Sequence, residues 1–408
     1  MNIKTIALAA FLSATPGLVY GQFDFSLAHR NVQVHSFASQ GFAYSNANNY
    51  LTMKTSQGSF AMTDGGGNIS TQITDKLRIG AQIYIRNVGE LGRWHPVLDW
   101  GFADYRFKDW FGVRGGKVKT TLGLFNDSQD SEFVHTWALL PQSIYPLDLR
   151  GATIAHNGGD AYGVIPIKTL GHLEYTVYGG MRAFDPHGGY PYSLHTIFST
   201  SSSTFNLQSE TGSVVGADLR WNTPLKGLLV GASRAVYGYQ NHGEGSPGNA
   251  RQGYSSARAT GDSTNAFYFD YSLNRLRFYG EYQRYLEAYD IFVGSAQQPF
   301  YAFGYATDRR MAYVAGSYRV AKHLEIGSYY SYYIGEHHLP HSDPRNHLFD
   351  KTVTARIDLN SNWNVKVEGH FMDGAPDALC LHGFYTSVNP NGVTPAMNMV
   401  VIRTGFAF

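Results

Sequence analysis

The stretch VTARIDL at 353–359, NSN at 360–362 and WNVKVEGHF at 363–371 decides how this chain folds. Val353, Ala355, Ile357 and Leu359 fall on one side, opposite Thr354, Arg356 and Asp358. After a three-residue polar break the alternation resumes. Trp363, Val365, Val367 and Phe371 then stand opposite Asn364, Lys366, Glu368 and His370. A period of two belongs to a strand, and a tight break between two such runs belongs to a hairpin. The pattern recurs at 77–86, where Leu77, Ile79, Ala81, Ile83 and Ile85 oppose Arg78, Gln82, Tyr84 and Arg86, and again at 267–273. The polar faces carry both signs of charge, and the apolar faces are rich in aromatics near the strand ends. A soluble barrel turns its apolar face inward; this arrangement fits an apolar exterior in lipid around a wet interior.

Working outward, the connections alternate in length. Short turns at 74–76, 108–110, 169–171, 223–225, 272–274, 321–323 and 360–362 separate long polar loops near 45–57, 88–96, 126–149, 184–210, 241–262, 292–308, 338–350 and 374–395. Seven short turns and eight long loops predict sixteen strands, with both ends of the mature chain on the short-turn side. Strands that span a bilayer at a tilt need about 9–11 residues, and most of these reach that length. The expected fold is all-β, a transmembrane antiparallel barrel with short periplasmic turns and long outer loops. The runs at 97–108, 150–167 and 226–240 alternate poorly.

Composition agrees. The 408 residues hold 32 Lys+Arg and 31 Asp+Glu, a net charge of +1, so nothing electrostatic calls for nucleic acid as a partner. Charged residues are 15 %, below the roughly 25 % of soluble domains, while aromatics reach 15 %. These totals alone also suit a soluble propeller or sandwich; the order along the chain decides against one. Lys4, the apolar run from Ile6 to Leu12 and Val19-Tyr20-Gly21 read as an export signal over 1–21, leaving 22–408 as a single barrel domain. No later run of 18 apolar residues exists, and Cys380 is the lone cysteine, which excludes intrachain disulfides.

The last residues count back by twos from Phe408 through Phe406, Thr404 and Ile402 to Val400. This mostly apolar row ending in an aromatic carboxy-terminus resembles the signal by which the barrel-assembly machinery recognises outer-membrane proteins. The stretches VHSFASQGF (34–42), LDWGFADYRF (98–107), GGKVK (115–119), LGLFN (122–126) and LLPQSIYP (139–146) resemble Gram-negative porins of the trimeric 16-stranded superfamily. The resemblance covers about 31–150 and is architectural beyond. It implies a homotrimer with one pore per subunit, embedded in outer-membrane lipid and lipopolysaccharide. It also implies that the third long loop, 126–149, folds into the barrel. The chain lacks the Pro-Glu-Phe-Gly-Gly motif that well-known general porins carry in that loop.

On that arrangement the loop offers Asp127, Asp130, Glu132 and His135 to the constriction. The facing wall offers Arg78, Arg86, Lys117 and Lys119, with Gly115-Gly116 as a candidate bulge that resets the register. Acid on a loop opposite base on a wall creates a transverse field that favours polar solutes. Elsewhere the inferred lumen sets seven bases (Arg106, Arg220, Arg277, Arg319, Arg356, Lys366, Arg403) against eight acids (Asp104, Glu174, Asp218, Asp270, Glu281, Glu325, Asp358, Glu368), which argues for weak charge selectivity. Tyr84, Tyr178, Tyr268, Tyr279, Tyr285, Tyr329 and Tyr333 also face inward by parity, either filling volume or forming a sugar slide. His337, His338, His341 and His347 are read as solvated loop residues, so no metal and no cofactor is expected. The expected function is passive diffusion of small hydrophilic solutes and ions. The alternatives are a substrate-specific channel for a sugar or small anion, and then a non-conducting structural barrel. An enzyme is not expected, because no nucleophile-elbow motif appears, and the chain is too short for a plugged receptor of about 22 strands.

Overall fold

The computed structural model describes residues 23–27, 30–130, 132–199, 204–246, 255–294, 299–376 and 383–408. The expected export signal at 1–21 and Cys380 lie outside these residues. Alternation over most of the chain is converted into strands, and among the described residues nineteen of them join in one antiparallel sheet. Sixteen form the wall: β1 (Arg30–Ser45), β2 (Ser59–Gln72), β3 (Leu77–Val88), β4 (Val97–Lys108), β5 (Phe111–Lys119), β6 (Ala155–Pro166), β7 (His172–Arg182), β8 (Ser213–Asn222), β9 (Leu228–Tyr237), β10 (Ser255–Leu273), β11 (Leu276–Gly294), β12 (Pro299–Ala321), β13 (Leu324–Ile334), β14 (His347–Asp358), β15 (Trp363–Asp373) and β16 (Ala396–Ala407). Each pairs with its sequence neighbour, and β16 closes on β1 with Ala407 opposite Phe37 and Met399 opposite Ser45. The seam is finished at its end by Phe408, whose backbone N–H and C=O both bond Ser36, at 2.9 and 2.7 Å. Among the described residues, closure gives each of the sixteen strands a partner on both sides over part or all of its length, the condition for a sheet to stand in hydrocarbon.

The faces sort as the alternation predicts. Ile83 is 57 % exposed, Val353 52 % and Phe371 51 %, whereas inward-facing Tyr84 is 2 % and Lys366 0 % exposed. An apolar belt outside and charged residues inside is the reverse of a soluble core. Phe107, Trp110, Trp221 and Trp363 are exposed on the outside, each beside a short turn, at the level where amphipathic rings mark a membrane interface. Val400 and Ile402 lie on the outer face at 44 % and 42 % exposure, while Phe406 and Phe408 are half-buried at the turn end.

Three expected loops are more ordered than their polar sequence suggests. The 184–210 region holds a helix, Gly189–Phe198, and a strand, Thr204–Thr211; the 241–262 region begins with a strand, Gln240–Ser246, that pairs with it. The 292–308 region is mostly strand, because cross-strand pairing in the β11–β12 ribbon continues past the membrane-length segment, with Tyr289 opposite Tyr305. Conversely, the strands expected at 111–125 and 150–167 are shortened to Phe111–Lys119 and Ala155–Pro166, because the chain between them leaves the wall and turns inward.

Ile402→Arg places a charge on the outer face near the middle of β16. Its unfolding free energy in lipid vesicles should fall by about 2–4 kcal/mol; a loss within error would contradict the outward, lipid-facing assignment of this row.

The lumen and its inward loop as the candidate functional site

The segment 120–154, between β5 and β6, runs inside the wall. It is tied first to the wall strands that follow it in sequence by more than one hundred residues. Lys366 donates to Trp137 O at 2.9 Å and Arg403 to Ala138 O at 2.8 Å. Glu368 accepts the N–H groups of Ala138 and Leu139 at 3.0 and 3.2 Å. Arg356 donates to Phe133 O and His135 O at 2.7 and 3.0 Å. The Trp137 indole donates to the Tyr279 hydroxyl, and the Tyr145 hydroxyl to Glu281. At the opposite wall Gln82 donates to Asp130 at 2.6 Å and Arg86 to Leu147 O at 2.7 Å, while Arg150 pairs with Asp99 at 2.8 Å. The loop is thus a chord across the lumen, held at both ends by charge-assisted bonds. Such bonds strengthen where water is excluded, and breaking one leaves a buried charge unpaired.

Below the chord, toward the turn end, lies a cavity of about 460 Å³. Arg78, Arg114, Lys119 and Arg220 border it together with Asp127, Asp130, Glu174 and Asp218, four cations against four anions. Lys119 meets Asp130 at 2.7 Å and Arg220 approaches Asp127 to 3.7 Å, so these acids and bases touch rather than face each other across open space. Among the described residues Arg78 enters no ion pair; its guanidinium lies 5.7 Å from the centre of the Phe102 ring. Elsewhere in the lumen charge is also matched: Arg277 with Asp270 at 2.7 Å, Arg319 with Glu325 at 2.7 Å, and Arg403 with Asp64 at 2.8 Å.

The eight residues expected at the constriction therefore divide. Arg78, Lys119, Asp127 and Asp130 border the cavity. Arg86 is buried and anchors the loop, also pairing with Asp185 at 3.2 Å. His135 is buried in the chord, its Nε2 2.9 Å from Ser128 O, so it is part of the loop's own packing. Glu132 opens a short helical turn, Glu132–Val134, and its side chain lies outside the described residues. Lys117 is a correction. It pairs with Gly101, which pairs with Ala81 on the face of Ile79 and Ile83, and its Nζ sits 2.5 Å from Leu98 O. Arg114 points inward to Asp160 at 2.9 Å, and strict alternation from it puts residue 117 outside. Lys119 ends β5 where the chain turns into the lumen, and its side chain follows that turn.

Sequence reasoning missed Asp99, Trp100 and Phe102. The register slips between Gln82 and Ile83, so Trp100 lies opposite Gln82 while Leu98 lies opposite Ile83, and the extra residue, Asp99, is directed to Arg150. The poor alternation at 97–108 was the available signal of that bulge. Also missed was a small apolar cluster of Leu122 from the chord with Tyr178, Val214 and Ala235 from β7, β8 and β9. By register Tyr178 and Ala235 lie one layer above Thr176, Asp218 and Ser233, on the loop side of the lower cavity. Of the inward tyrosines, Tyr84, Tyr178, Tyr268, Tyr279, Tyr329 and Tyr333 are buried, packed against the chord or its neighbours; Tyr285 is partly buried.

The sequence matches no protein-family model and no curated protein. The fold has clear counterparts among solved structures. The outer membrane channel DcaP of Acinetobacter baumannii is similar over 94 % of this chain and 99 % of its own, at 8 % identity and a TM-score of 0.54. An anion-selective porin from Comamonas acidovorans matches over 93 % and 100 %, at 10 % identity and 0.54. Salmonella typhi OmpF, solved with daunomycin, matches over 95 % and 100 %, at 13 % identity and 0.55. At such identities the likeness is one of fold. It extends over nearly the whole of both chains, and on that ground this chain has the fold of these outer-membrane channels and porins, here a closed sixteen-stranded antiparallel barrel.

Proposed function

We propose that this chain is an outer-membrane channel through which small hydrophilic solutes and ions diffuse passively. The carrying observation is the inversion of the fold: an exposed apolar belt surrounds a lumen whose cavity is bordered by four cations and four anions. A balanced lumen attracts polar solutes of either sign weakly, whereas a dedicated anion pore needs an excess of one charge. The reading carries with it export by the segment 1–21, assembly through the aromatic carboxy-terminus at Phe408, contact with lipopolysaccharide, and association into a homotrimer. Arg78, Lys119, Asp127 and Asp130 are the residues proposed to meet the solute, with Glu132 beside them on the loop.

A second reading, a closed structural barrel, is favoured by one observation: the Leu122 cluster packs the chord against β7, β8 and β9 on the loop side of the lower cavity. Conductance of the purified, folded protein in a planar bilayer separates the two. The channel reading expects discrete steps grouped in threes, with weak ion preference. A silent bilayer at protein densities that give steps with a control porin would leave the closed barrel.

Two variants sharpen this reading. Asp130→Asn removes a negative charge and releases Lys119 from its ion pair, so the reversal potential in a salt gradient should move toward anion preference. An unmoved potential would place the ion path elsewhere. Leu122→Ala trims the cluster and should raise single-channel conductance; a conductance equal to that of the parent would show that solutes do not pass this point.

A further inference from the structure

A second hollow lies on the loop side of the chord, with a cavity volume of about 140 Å³. Its floor is the segment around Asn126 and Pro146, and its walls carry Tyr190, Tyr237, Tyr239, Tyr285 and Tyr289. Neighbouring rings meet edge to face. Tyr237 and Tyr285 are 6.5 Å apart at 82°, and Tyr190 and Tyr239 are 5.3 Å apart at 84°. Tyr190, Tyr237 and Tyr285 are only partly buried. A dry apolar cavity of about 150 Å³ takes one benzene ring, so this volume suits a single six-membered ring.

Polar groups stand among the rings, and their charges are already matched. Arg309 pairs with Glu287 at 2.5 Å, and Arg182 faces Asp262 at 3.8 Å. Glu210 accepts the Tyr239 hydroxyl at 3.1 Å. Among the described residues an anionic solute finds no uncommitted cation on this lining. A purely apolar ring fares no better, because it would strip water from the donors and return no hydrogen bond. One of those donors, Arg182 Nε, is buried and has no partner among the described residues, although its side chain lines the hollow. The guanidinium itself lies over two rings, 5.0 Å from the centre of Tyr237 and 5.2 Å from that of Phe184.

A ring with an apolar face and a hydroxylated edge answers both demands. We infer that this hollow is a binding subsite for a neutral sugar ring, which packs its C–H groups against the tyrosine rings that enclose it, Tyr190 and Tyr285 among them, and sets its hydroxyls on Arg182, Gln283 and Glu210. The inference rests on the channel reading and deepens it, from a general pore toward one that retains carbohydrate briefly on its way through. Binding in a conducting path must be weak, and millimolar affinity is the expected range.

The test uses maltose as probe and benzoate as a ring-sized anionic control, with the full-length protein in a planar bilayer. Maltose added on the loop side should interrupt the current, and benzoate should not. In Tyr190→Ala and Tyr285→Ala, half-block should need about tenfold more maltose, the effect of losing one stacking face. Block is read relative to each variant's own open-channel current, and Tyr190→Phe should restore it. Equilibrium dialysis of detergent-solubilised protein against labelled maltose is read in parallel. Conductance without block or binding overturns the subsite and leaves the general channel standing. Block that is equal in parent and tyrosine variants also overturns it. Binding that weakens in the variants, with no conductance, keeps the subsite and sinks the channel. Absence of both binding and conductance sinks both.

Discussion

Backbone N–H and C=O groups have no water to bond within hydrocarbon, and every other feature of this molecule answers to that constraint. Sixteen strands meet it only if the last one finds the first. The pairing of β16 with β1 does so across nearly the whole length of the chain, and Phe408 finishes it with two bonds to Ser36. Once the wall is closed and faces lipid, alternate side chains have no choice of environment. Those outside must be apolar, and those inside are free to be charged. The usual logic of a core is thereby displaced. Ion pairs and tyrosines fill the interior, and the chord at 120–154 supplies the packing that a soluble protein would draw from aliphatic side chains.

The chord converts an open tube into a divided one. Its anchors are buried charges that sit on the wall and bond the loop's backbone: Lys366, Glu368, Arg356 and Arg403. A loop held through its main chain can vary in side chains without shifting its path. Its side chains set the chemistry on either side: the Leu122 cluster sits between a charged, balanced cavity on one side and a tyrosine-lined hollow on the other.

Much of the wall was legible in the sequence, because the lipid boundary enforces alternation and turns interrupt it at regular intervals. The strand count and the inward set around Gln82, Tyr84 and Arg86 follow from that pattern alone. The path of the chord does not. Ala138 and Glu368 are 230 residues apart, and no local pattern announces their meeting. Lys117 and Lys119 show the limit sharply. They share a parity, yet one stands outside the wall and the other follows the chain inward, because β5 ends between a regular strand and a turn. At Asp99 a single extra residue reverses the faces of its neighbours. The tyrosine hollow was half visible: Tyr285 could be placed inward by parity, whereas Tyr190 and Tyr239 come from segments without alternation.

The β11–β12 ribbon, with strands of 19 and 23 residues, rises well beyond the length a membrane requires. Pairing of β12 with β13 stops at Arg310 opposite Ile334, so over 299–309 β12 has a strand partner on one side only among the described residues. Tyr301 and Phe303, at 57 % and 56 % exposure, stand on that free length. A wall that abolishes its edges in lipid thus recreates one in water, where a second chain can add to it strand on strand. Pro299 at the tip withholds one donor, and Asp308, whose C=O bonds His337 N–H at 2.9 Å, closes the base. Between them lies the place where copies of this protein, refolding at high concentration, would first stick together.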